Sequence, residues 1–81
     1  MVDLQLTRAL IELVLFLEQS DDDVVDPDAA IAALEQLAVR LNLAEPDTKQ
    51  ILSEQLRTLS KEYPGAVEFV QGLPEALGLE D

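Results

Sequence analysis

The side chains that could do chemistry are few in kind. The chain has no His, Cys or Trp, which removes the commonest general base, the thiol nucleophile and most transition-metal ligand sets. Its serines, Ser20, Ser53 and Ser60, have no imidazole to activate them. What it does have is carboxylates, 17 Asp+Glu against 5 Lys+Arg, for a formal net charge of −12. Two carboxylates work as an acid and base pair only where a cleft drives their pKa values apart. A chain of 81 residues is expected to be too small to build one. The expectation is a protein without catalysis, cofactor or bound metal.

The carboxylates are densest between Glu18 and Asp28, where Glu18, Asp21, Asp22, Asp23, Asp26 and Asp28 stand together with no basic residue among them. An EF-hand loop needs oxygen ligands at its first, third and fifth positions, Gly at the sixth and Glu at the twelfth. Counted from Asp21, the fifth is Val25, the sixth Asp26 and the twelfth Ala32. The pattern fails, and the region holds no Gly to rescue another register. An acyl carrier protein would need Asp-Ser-Leu opening a helix, whereas Ser20 lies in Gln19-Ser20-Asp21 at the end of one. Two readings of the acid run are left. It is either a solvated connection that keeps a Leu-rich chain soluble, or a surface that steers a basic partner onto the protein.

The elements that carry this run read as helices. Leu and Ala dominate the apolar residues, while β-branched and aromatic residues are few, which favours helix over sheet. The first helix is expected over Asp3 to Gln19. On a helical wheel Leu6, Leu10, Leu13 and Leu17 form the expected core face, and Gln5, Arg8, Glu12 and Gln19 form a polar stripe. Leu4, Ile11 and Leu15 make a second apolar strip beside the polar one, with Phe16 flanking the core face on its other side. A helix apolar around so much of its girth needs cover on two sides, and Leu4, Ile11 and Leu15 are the expected homodimer interface.

Asp26 and Pro27 then read as an N-cap and first helical residue. The second helix is expected over Pro27 to Leu43, with Ala30, Leu34, Leu37 and Leu41 on one face. Pro46 opens a third, expected to run to about Glu62, in which Leu52, Leu56, Leu59 and Tyr63 repeat the same spacing above an otherwise polar surface. Pro64-Gly65 ends it. A short fourth helix is expected over Ala66 to Gln71, anchored by Val67, Phe69 and Val70, with Leu73 and Leu77 folding back around Pro74 and Glu80 and Asp81 frayed. The fold expected is all-α: a small antiparallel bundle of three main helices plus a short C-terminal one, in a single domain over residues 1–81.

Size and charge narrow the function. A domain this small buries only about 60–65% of its unfolded surface, so it must pack efficiently or borrow surface from a partner. The acidic field repels nucleic acid and anionic lipid and attracts basic proteins. The longest apolar run, Ala9 to Leu17, contains Glu12 and is nine residues long, against the roughly 20 that a membrane helix needs. Neither nucleic acid nor membrane is expected as a partner. The start of the chain lacks the basic segment of a secretory signal, and a cytoplasmic location is expected.

Asp26-Pro27, followed by Ala33-Leu34-Glu35-Gln36-Leu37, Val39, Leu43-Ala44, Asp47, Lys49 and Leu56, resembles the middle of the small acidic helical immunity proteins that neutralise a cytoplasm-acting type VI secretion toxin of the Pseudomonas type. The resemblance implies a bacterial cytoplasmic antitoxin, homodimeric, that binds one cognate toxin tightly and covers its functional cleft. Glu18, Asp21, Asp22, Asp23, Asp26 and Asp28 are then the expected partner-binding residues. Two alternatives belong to other classes. One is an acidic helical adaptor or chaperone-like module for a basic partner. The other is a nucleic-acid mimic, which would want carboxylates spread at phosphate-like spacing over one face and not gathered in a loop.

Overall fold

A computed structural model describes residues 2–80 of the chain. Five helices and one 3₁₀ turn follow in order: α1 (Leu4–Gln19), α2 (Pro27–Asn42), α3 (Pro46–Leu59), the 3₁₀ turn Ser60–Glu62, α4 (Val67–Gln71) and α5 (Leu73–Ala76). No strand occurs among the described residues, so the chain is all-α.

The boundaries follow from local chemistry. Asp3 caps α1 by accepting the Gln5 amide at 2.7 Å, and Asp26 caps α2 by accepting the Ala29 amide at 3.0 Å. Each satisfies one of the amides that a helix start leaves without a carbonyl. Pro27 and Pro46 occupy the first turns of α2 and α3, where the missing N–H costs nothing. Gly65 turns the chain after the 3₁₀ turn with φ +88°, a conformation that an L side chain resists.

The core is built around α3. Its Leu52, Leu56 and Leu59 are buried at the expected spacing, and the C-terminal segment supplies Ala66, Val70, Leu73, Leu77 and Leu79. Leu73 and Leu77 do fold back as the apolar pattern implies, and the segment from Ala66 to Leu79 provides as much of the core as α1 and α3 together. The short helix expected over Ala66 to Gln71 is α4, closed by Gly72, and the segment expected only to fold back adds a further short helix, α5, with Pro74 in its first turn. Glu80 is not frayed but pairs with Arg57, held there by the burial of Leu79. Asp81 lies outside the described residues.

The face that α1 turns inward differs from the expected one. Its buried residues are Thr7, Ile11 and Val14, while Leu6 is 66% and Leu13 56% exposed. The cause is polar. Arg8 pairs with Glu62 through two hydrogen bonds of 3.0 Å. The Tyr63 hydroxyl donates to Glu12 at 3.2 Å, and the Thr7 hydroxyl donates to Gln55. Residues expected to face water are thereby drawn to α3 and the turn after it, and the helix is rolled so that Ile11 enters the core.

Helix α2 is the least committed element. Ala30 is its only buried residue. Leu34, Leu37, Ala38 and Leu41 lean on the core half-buried, while Ile31, Val39 and Leu43 stand exposed. The radius of gyration is 12.4 Å, a little above the roughly 11.7 Å expected for a compact chain of this length.

Candidate functional site

The acid run forms the connection between α1 and α2. Ser20 closes α1 by donating its amide to the Phe16 carbonyl at 3.1 Å, and its hydroxyl donates to the same oxygen. The chain then turns at Asp21, whose carbonyl accepts the amides of Val24 and Val25 at 2.9 and 3.0 Å. This turn aims the side chains of Asp21, Asp22 and Asp23 outward. All six expected partner-binding carboxylates, Glu18, Asp21, Asp22, Asp23, Asp26 and Asp28, are exposed.

Their roles differ. Asp26 holds the first turn of α2, and Asp28 sits in that turn, where a negative charge suits the helix dipole. Glu18, Asp21, Asp22 and Asp23 accept no side-chain hydrogen bond and form no ion pair among the described residues. The two ion pairs found there, Arg8–Glu62 and Arg57–Glu80, lie elsewhere on the molecule and engage two of the five cations. The loop's charge therefore reaches solvent uncompensated. Where carboxylates do meet cations, titration responds: the hydrogen bond from Arg8 holds Glu62 below the usual carboxylate range. Burial, followed by the bond to Glu12, pushes the Tyr63 hydroxyl up.

Apolar side chains surround the loop. Val24 stands exposed within it, Phe16 precedes it on α1 and Ile31 follows it on α2. Along α1, Leu6, Leu13 and Phe16 continue as an exposed stripe with Ala9 between them. Their spacing of three and four residues is that of a helix seam. This corrects the expected dimer strip. Ile11 is 0% exposed inside the chain's own core and is unavailable to a partner. Leu15 is partly buried against that core. Leu4 alone of the three is exposed, at the N-terminal end of the helix. Of the face expected in the interior, Leu6 and Leu13 lie in this exposed seam, while Leu10 does lean on the core.

No group of three or more Asp or Glu among the described residues is disposed to hold a metal ion, and no described helix is long and apolar enough to cross a membrane. No family model, curated protein or solved structure matches the chain.

Proposed function

We propose that this chain is a bacterial immunity protein: a homodimeric cytoplasmic antitoxin that binds a basic surface of its cognate toxin and covers the toxin's functional site. The observation that carries the reading is the uncompensated acid loop from Glu18 to Asp28, fringed by exposed Val24 and Ile31. Long-range charge steers a partner, and apolar anchors beside it supply affinity. The resemblance from Asp26 to Leu56 supports the same class.

The surface area supports association. A folded monomer of 8.9 kDa is expected to expose about 4,800 Å², whereas this chain exposes 5496 Å². The excess is close to the roughly 800 Å² that each side of a standard protein interface buries. The dimer proposed here uses Leu6, Leu13 and Phe16, and leaves the acid loop free.

The test is capture from the native organism with tagged full-length chain. A single stoichiometric basic partner that is toxic when expressed alone supports the reading. A set of housekeeping proteins, or a basic partner without toxicity, overturns immunity, and the second result favours the acidic adaptor instead.

A further inference from the structure

Between the C-terminal half of α1, the side of α2 that carries Leu34 and Ala38, and the pair α4–α5 runs a groove of about 310 Å³. Its walls are Val14, Ile31, Leu34, Phe69, Leu73 and Leu77. The charged residues lining it are Glu18 and Glu35, both exposed, and no Lys or Arg is among them. At the Glu18 end the groove leads into the acid loop. One wall is α2, the helix with one buried residue.

We propose that this groove receives a basic amphipathic helix of the toxin, its apolar residues against Ile31, Leu34 and Phe69 and its Lys or Arg side chains against Glu18, Glu35 and the loop. The identity of the partner rests on the immunity reading above; the chemistry of the occupant rests on the groove. An apolar floor with carboxylates and no cation selects a segment with an apolar stripe and a positive flank. A small polar ligand is disfavoured because no set of polar groups converges within the walls. An added strand is disfavoured because the described chain offers no sheet edge.

The probe is an amphipathic helical peptide of Leu and Lys, about 14 residues long so that it presents some four helical turns. It is titrated into the methyl-labelled full chain and followed by NMR. Methyl shifts centred on Ile31, Leu34, Leu73 and Leu77 are expected. Ile31→Lys, at a position 57% exposed and so tolerated by the fold, places a like charge in the groove and is expected to weaken binding about tenfold or more. Leu43→Lys adds the same charge at a site 73% exposed outside the groove and is expected to weaken it no more than about twofold. Ala76→Phe fills the groove without changing charge and is expected to act like Ile31→Lys.

Shifts centred on Leu6 and Leu13, or equal weakening by Ile31→Lys and Leu43→Lys, would overturn the proposal, since only the overall field would then be at work. The captured partner separates the two readings. A toxic partner that binds the Ile31→Lys chain as tightly as the parent sinks the groove and leaves immunity standing. Failure to capture any toxic partner sinks immunity, and the peptide titration alone then decides the groove.

Discussion

Single residues divide the surface from the core. Ile11 and Leu13 are two positions apart and have opposite surroundings, one sealed among core residues and the other 56% exposed. Ile11→Ala is expected to cost about 2–5 kcal/mol by thermal or urea unfolding. Leu13→Asp is expected to leave helicity intact by circular dichroism and to convert the proposed dimer to a monomer by light scattering. Unfolding of the Leu13 variant would place that side chain inside, and an unchanged mass would remove it from the interface. The Ser53 hydroxyl is buried with no hydrogen-bond partner, so Ser53→Ala removes an unmet desolvation cost of about 1–3 kcal/mol and is expected to be neutral or stabilising. Tyr63 is the only tyrosine, which lets its ionisation be read directly from tyrosinate absorbance. Its pKa is raised, so it is expected to titrate above the ordinary value of about 10, and Glu12→Gln should bring the midpoint down. The folded state holds this proton more tightly than the unfolded one. The stability it contributes is complete below the unfolded pKa and is lost as pH rises through the folded value.

At the scale of elements, the helices were legible and one orientation was not. The Asp-Pro and Glu-Pro starts placed α2 and α3, and the Leu spacing of α3 identified its buried face, because that helix has a single apolar side to offer. Helix α1 is apolar around most of its circumference, so periodicity allows two rotations. The one adopted is selected by pairs that join distant parts of the sequence, Arg8 to Glu62, Glu12 to Tyr63 and Thr7 to Gln55, and no local pattern encodes them. The acid loop was legible as a charge run. The groove beside it was not, since it needs α1, α2 and α4–α5 to be brought together. Within the run, structural and binding roles separate by substitution. Asp26→Ala removes the α2 cap and is expected to cost about 1 kcal/mol. Changing Asp21, Asp22 and Asp23 together to Asn is expected to leave the melting temperature unchanged or slightly raised, because these side chains hold nothing in the fold. A marked fall would assign the three a structural role. Gly65→Ala tests the turn before α4. An added Cβ meets nothing within 4 Å, so the expected loss of about 1 kcal/mol is backbone strain alone.

The whole molecule is governed by its charge of −12. Self-repulsion at this charge destabilises the compact state, and added salt screens it. Raising NaCl from about 0.01 to 0.5 M, which shortens the screening length from about 30 Å to a few Å, is expected to raise the melting temperature. The same screening is expected to slow association with a basic toxin, so stability and association rate should move in opposite directions with salt. A melting temperature indifferent to salt would show that the charges are too dispersed to act together. Reversing Asp21, Asp22 and Asp23 to Lys should slow toxin association and flatten its dependence on salt while the apolar anchors remain.

The most direct test of immunity is growth. The captured partner is induced in a bacterial host alone, with the parent chain, and with the chain carrying the three Asp-to-Lys reversals. The expected result is arrest by the partner alone, full rescue by the parent and weaker rescue by the reversed chain at equal expression. Arrest that the parent chain fails to relieve would contradict the immunity assignment.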